Sequence, residues 1–150
     1  MSEPSLPAIL NRHARKPPNI LQTLLDVQAA LGSVPAQAIP DVARSLDVTE
    51  ADVAGVLSYY PELRTVQPGR HMVRVCQGES CMANHGRTVL ASVQAHLNIG
   101  LGETTNDGRF TLDRIYCVGN CAVGPSLMVD GTAHGRVTPD HVSTLLDDYR

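Results

Sequence analysis

The sequence predicts an α/β chain built in two parts: an N-terminal helical bundle over residues 1–68 and a mixed helix–strand domain over 69–150. Three observations lead there. The chain has 150 residues, enough for one ordinary domain or two very small ones. Its composition changes near Pro68-Gly69, since all four cysteines and all but two of the 12 glycines, Gly32 and Gly55, come after that point. Apolar residues recur at helical spacing before it, whereas helical and alternating patterns follow one another after it, in the order roughly β-α-β-β-α.

In the first part, Ile20, Leu21, Leu24, Leu25, Val27 and Leu31 share helical spacing, and Gly32 is placed to stop that helix. Ile39 to Leu46 reads as a second, shorter helix. Thr49 with Asp52 three residues on resembles a capping box opening a third, which carries Val53, Val56 and Leu57 and ends before Pro61. In the second part, His71 to Cys76 alternates as a strand does. Val89, Leu90, Val93 and Leu97 mark a helix over 85–97, and Asn106-Asp107-Gly108 is a hairpin turn. Strands are expected over Leu112 to Cys117 and Ser126 to Asp130, and a short one through Gly135-Arg136-Val137 after the turn at Asp130-Gly131. Thr138 and Pro139 then start a last helix whose apolar face is Val142, Leu145, Leu146 and Tyr149.

Composition excludes several functions. Apolar residues make up 43%, enough for a core, but four Tyr, one Phe and no Trp leave few rings for stacking on bases. Twelve basic against 15 acidic residues, a net charge of −3, supply no phosphate-binding patch. Residues 39–60 could pass for a helix-turn-helix, yet 35–60 hold one basic residue, Arg44, against Asp41, Asp47, Glu50 and Asp52. Phosphate contact dominates such binding, so nucleic acid is not an expected partner. No apolar run approaches the roughly 20 residues of a membrane span. Met1-Ser2-Glu3-Pro4 has neither the basic nor the apolar stretch of a secretory signal, so the expected location is the cytoplasm. Structural disulfides are uncommon there, which leaves four cysteines needing another purpose, metal first.

Cys76 and Cys81 form C-x4-C, and Cys117 and Cys121 form C-x3-C. Each pair follows an apolar run able to end a strand, so the two loops can meet at one sheet edge. Gly78, Gly119 and Gly124 make these loops small enough for backbone N–H groups to approach sulfur. A structural zinc site also uses four cysteines, but its usual knuckles are C-x2-C. A thioredoxin-type dithiol needs C-x-x-C, which is absent. Four unrelated buried cysteines would not fall as two close pairs in glycine-containing loops. Uneven spacing favours an iron–sulfur cluster, with zinc left open.

Val75-Cys76-Gln77-Gly78-Glu79-Ser80-Cys81, Gly102 to Leu112 and Tyr116-Cys117-Val118-Gly119-Asn120-Cys121-Ala122 resemble the signature of the small 2Fe–2S subunits of respiratory complex I, NAD-linked hydrogenases and formate dehydrogenases. Gly55-Val56-Leu57-Ser58-Tyr59-Tyr60, Leu63-Arg64-Thr65 and Gly135-Arg136-Val137-Thr138-Pro139 also fit, so the resemblance runs from about Asn19 to Tyr149. It implies a thioredoxin-like fold behind the helical bundle and one 2Fe–2S cluster, Cys76 and Cys81 holding one iron and Cys117 and Cys121 the other. The cysteine loops are most similar to the gamma subunit of the cytoplasmic, molybdenum-dependent, NAD-linked formate dehydrogenase. The implied role is single-electron exchange with a partner's flavin while formate is oxidised to carbon dioxide and NAD is reduced. The implied partners are a beta-type subunit with FMN and NAD and a large alpha-type subunit with the molybdenum cofactor.

The chain itself shows no GxGxxG, P-loop or flavin motif, so it is expected to be a non-catalytic carrier. The alternatives are the equivalent subunit of complex I or of an NAD-linked hydrogenase and, in another class, a zinc-stabilised binding module. One departure stands out: relatives usually place Gly four residues after the second cysteine, where this chain has His85 followed by Gly86. His71, His85, His96 and His134 are expected to be surface or capping residues. Glu79 and Asn120 lie inside the cysteine loops and receive no role. Tyr59-Tyr60 is expected to pack in the core, and Asp147-Asp148 to form a solvated helix face.

Overall fold

The computed structural model describes residues 5–14 and 19–149. The terminus Met1-Ser2-Glu3-Pro4 therefore lies outside the described residues. Two compact units follow one another, Met1–Gln67 and Pro68–Arg150.

The first unit is helical: α1 Leu6–His13, α2 Ile20–Leu31, α3 Ile39–Leu46 and α4 Glu50–Tyr59. Asn19 caps α2 by accepting from Gln22 N at 2.9 Å, and Gly32 ends it in the left-handed region at φ 77°. Thr49 and Asp52 form the reciprocal capping box that opens α4. Fully buried Ile9, Leu24, Val27, Val34, Val42 and Val53 make the core of this unit. Helix α1 adds to the three helices expected in this unit, and its Ile9 is 1% exposed. Tyr59 corrects the core expectation: it is 78% exposed, while Tyr60 packs partly against the core.

The second unit is a four-stranded sheet in the order β2-β1-β3-β4 with three helices. Strand β1 is His71–Cys76, followed by α5 Glu79–Ala83 and α6 Gly86–Leu97. Then come β2 Phe110–Ile115, β3 Leu127–Val129, β4 Thr132–His134 and α7 Pro139–Asp147. Strand β2 runs parallel to β1, with Cys76 opposite Ile115, and β3 pairs antiparallel on the other side, with Val75 opposite Leu127. Val73, Val75, Leu112, Leu127 and Val129 from the sheet pack with Val89 and Val93 of α6 and Val142 and Leu146 of α7.

Two strand expectations are displaced. The turn at 105–108, closed by Thr105 N donating to Phe110 O at 2.8 Å, starts β2 at Phe110, so the strand ends at Ile115 and Cys117 lies beyond it. Asp130 and Gly131 both have positive φ, 49° and 87°, the signature of a two-residue hairpin turn. That turn sets Val129 against Thr132, so β4 is Thr132–His134 and Gly135-Arg136-Val137 is a loop. The four histidines take local partners or caps. His71 Nδ1 lies 2.6 Å from Asp130 and His134 Nε2 lies 2.9 Å from the Tyr149 hydroxyl. His96 faces Asp147 at 4.0 Å, and His85 precedes α6. Asp147 and Asp148 are exposed.

Candidate metal centre

Sheet pairing delivers the first thiol. Cys76 ends β1, where its N–H donates to Ser126 O at 3.0 Å, and the next N–H, of Gln77, donates to Ile115 O at 2.7 Å. The backbone is therefore held on both sides at the point where it leaves the sheet. Gly78 then caps α5, the short helix that carries Cys81. A Cβ on Gly78 would stand 2.5 Å from the Tyr116 carbonyl oxygen, so only glycine lets the first cysteine loop lie against the approach to the second. Gly86 performs the same service behind Cys81, where a Cβ would meet the Cys81 carbonyl oxygen at 2.7 Å.

The second pair stands in a loop turned by Gly119 at φ 75°. Gly119 N–H donates to Cys117 Sγ at 3.3 Å, and Cys117 Sγ lies 3.9 Å from Cys121 Sγ. Two thiolates sharing one tetrahedral metal, with bonds of roughly 2.3 Å, sit about 3.8 Å apart, so this pair has a suitable spacing. The loops are tied together, since Ser80 Oγ donates to Cys121 O at 3.3 Å. Gly124 packs on the buried pair, its missing Cβ falling 3.1 Å from Cys81 Sγ.

Cys76 and Cys81 are each 2% exposed, whereas Cys117 and Cys121 are exposed. Burial pushes the Cys81 thiol up, and the neighbouring Cys76 thiol adds to it. The Cys121 thiol is pushed up first by its hydrogen bond and charge interaction with Cys117, then by burial and by the charge on Cys76. The two loops are in contact through Ser80 and Cys121 and through Gly124 and Cys81. Among the described residues, no three His, Cys, Asp or Glu side chains stand close enough together to hold one metal ion. Four thiols in two close sequence pairs, with Gly78, Gly119 and Gly124 leaving room around them, suit a thiolate-held metal group.

Sequence reading overlooked Ser126. It is fully buried at the start of β3, and its Oγ has no hydrogen-bond partner. Nothing in its one-letter context distinguishes it from an ordinary strand-edge serine; only the fold brings it to the cysteines.

The description "thioredoxin-like [2Fe-2S] ferredoxin" belongs to the family model that matches residues 6–150. A subunit of the NADH-quinone oxidoreductase of Pseudomonas aeruginosa is 42% identical over 129 residues, covering 86% of this chain and 78% of that protein. NADP-reducing hydrogenase subunit HndA of Solidesulfovibrio fructosivorans is 33% identical over 135 residues, covering 90% and 79%. Among solved structures, an NAD+-reducing [NiFe]-hydrogenase in the air-oxidized state superposes with a TM-score of 0.71 at 19% identity. That match covers 90% of this chain but 23% of the hydrogenase chain, so the likeness in fold is to one segment of a longer polypeptide. Paired thiols at the end of a mixed sheet, glycines that open the space around them, and a match along nearly the whole length converge: the chain belongs to the thioredoxin-like 2Fe–2S ferredoxin family, whose membership implies one 2Fe–2S cluster.

Proposed function

We propose that the chain is a one-electron carrier subunit of an NAD-linked oxidoreductase of the complex I and hydrogenase kind, with its cluster on Cys76, Cys81, Cys117 and Cys121. The observation that carries the ligand assignment is the meeting of the two cysteine loops: Ser80 Oγ donates to Cys121 O at 3.3 Å, Gly124 packs on Cys81 Sγ, and Cys117 and Cys121 Sγ lie 3.9 Å apart. When bound, the cluster supplies uptake and release of single electrons at low potential. The chain's own groups must then hold four thiolates around a centre that grows more negative on reduction. Gly119 N–H, already donating to Cys117 Sγ, offsets part of that charge. Close packing at Gly78 and Gly124 keeps water from the buried pair, and the exposed pair, beside the 68% exposed Tyr116, offers the face that a partner's flavin approaches.

The named relatives support this assembly, since they are subunits of an NADH-quinone oxidoreductase and of an NADP-reducing hydrogenase. A flavin- and NAD-binding partner follows from it, because a one-electron centre cannot accept a hydride. No described helix is long and apolar enough to cross a membrane. Four cysteines given to a metal group rather than to disulfides suit a reducing compartment, and we place the carrier in the cytoplasm. A second reading, the formate dehydrogenase with a molybdenum-containing alpha-type subunit, rests on the loops Gln77-Gly78-Glu79-Ser80 and Tyr116 to Cys121 alone.

The test has two stages. Protein purified without oxygen is assayed for iron, acid-labile sulfide and zinc; equimolar iron and sulfide, two of each per chain, is expected, and zinc without sulfide overturns the carrier reading. Cys76→Ser and Cys121→Ser are each expected to abolish the native cluster spectrum, and an unchanged spectrum in both overturns the ligand assignment. The native complex is then isolated and NAD reduction measured with hydrogen and with formate, alongside NADH oxidation by quinone. Quinone or hydrogen turnover supports the first assembly; formate turnover with molybdenum present supports the second.

A further inference from the structure

Ser126 is 0% exposed, and among the described residues its hydroxyl is the buried side-chain polar atom without a hydrogen-bond partner. Its place is fixed by the sheet. Its carbonyl accepts from Cys76 N at 3.0 Å, and its neighbour Leu127 pairs with Val75. Two residues before it, Gly124 packs on the Cys81 sulfur, where a Cβ would stand 3.1 Å from Sγ, and Ser126 works against the burial that pushes this thiol up. A buried O–H without an acceptor is unfavourable, and an alanine of nearly the same shape would remove the problem if the residue served packing alone. A neutral thiol is a weak acceptor, whereas a metal-bound thiolate is a strong one.

We propose that the Ser126 hydroxyl donates a hydrogen bond to the Cys81 thiolate of the bound cluster and thereby raises the reduction potential. The proposal rests on the ligand assignment above. Its physical basis is that a donor aimed at sulfur stabilises the reduced form, which carries the extra negative charge, more than the oxidised form. Ser126 is therefore a tuning residue that acts through a ligand, and its removal need not weaken the cluster's attachment.

Wild-type protein, Ser126→Ala and Ser126→Thr are purified without oxygen, assayed for iron and sulfide, and titrated against redox mediators while the reduced cluster is followed by electron paramagnetic resonance. Ser126→Ala is expected to load as wild type does and to be reduced less readily. At the wild-type midpoint its reduced-to-oxidised ratio falls about tenfold, which is ~59 mV for one electron. Ser126→Thr, which keeps the hydroxyl, is expected to stay near the wild-type midpoint. Should alanine impair loading, Ser126→Gly removes the hydroxyl without adding volume and carries the same expectation. A loaded alanine or glycine variant with the wild-type midpoint overturns the proposal and leaves the ligand assignment intact. Wild-type protein without iron and sulfide overturns the ligand assignment itself.

Discussion

His85 occupies a left-handed backbone position at φ 67°, immediately before α6, and Gly86 follows it. The two positions make different demands. A non-glycine residue in that region costs roughly 1–2 kcal/mol, whereas a side chain at 86 would strike the Cys81 carbonyl oxygen at 2.7 Å. The helix begins at Gly86 directly after His85, and it is Gly86 that leaves room behind Cys81. A different residue-scale device holds α1 to α2. Asp26 lies 2.8 Å from His13 Nε2 and accepts from Gln22 Nε2 at 2.9 Å. The His13 hydrogen bond holds the Asp26 carboxyl below its ordinary value of 3.8, helped by Gln22 and by the charges of His13 and Arg12, while burial works the other way. A carboxyl with a lowered folded pKa binds fewer protons folded than unfolded, so stability rises with pH across that window. The contribution is complete above the unfolded value and drains away as pH falls through the folded one. Asp26→Asn is therefore expected to cost about 1 kcal/mol at neutral pH, with the difference from wild type closing in strong acid. Urea unfolding at the two pH values checks this, and a pH-independent difference would remove the carboxylate from the explanation.

At the scale of elements, the segment Gly135-Arg136-Val137 braces the second cysteine loop. Arg136 N donates to Val123 O at 2.6 Å, and Val137 N donates to Pro125 O at 3.0 Å. A Cβ on Gly135 would lie 2.6 Å from Val123 Cγ2, 2.7 Å from Val123 O and 2.9 Å from Asn120 Nδ2. Two of those neighbours can rotate, but the carbonyl cannot move without the loop that carries Cys121. Gly135→Ala is expected to destabilise the second unit by about 1–3 kcal/mol and to lower iron per chain, as thermal unfolding and metal assay of the same preparation will show; normal stability with full iron would mean the loop is braced elsewhere. In the sequence this segment looked like a strand, because Val137 follows a turn and alternation is weak evidence over three residues. The hairpin turn at Asp130-Gly131 decides otherwise, since a two-residue turn starts the return strand at once. Elements with strong local chemistry were legible: α2 through its apolar spacing and Gly32, α4 through its capping box, and β1 through its alternation. Helix α1 has eight residues with Pro7 in its first turn, too short for a clear period, and its reason to form is burial of Ile9 in a core the sequence does not display. Helix α5, five residues long, is hidden inside the C-x4-C spacing that made the cysteines conspicuous.

For the molecule as a whole, the same separation governs what could be read. Cysteine spacing pointed to a metal centre because the cysteines come as close pairs, whereas Ser126 comes beside Cys76 only through the pairing of β3 with β1, a relation between distant segments. The division into two units, each with its own buried cluster, also predicts how the chain responds to loss of metal. All four cysteines lie in the unit Pro68–Arg150, and the core of the other unit contains none of them. A domain of this size buries a modest fraction of its surface, and thiolate–metal bonds add stability that exists only in the folded state. Cys117 and Cys121 stand in an exposed loop and Cys76 and Cys81 in the core, so a group bound by all four would tie the loop to the buried pair. Calorimetry of loaded and iron-free protein is therefore expected to show two transitions, of which only one moves. Stripping the iron should lower that transition by more than about 10 °C, since each kcal/mol shifts a domain of this length by roughly 4–8 °C, while the helical unit melts where it did before. Equal displacement of both transitions, or a single shared one in both samples, would show instead that the helical unit depends on the metal-bearing one for its stability.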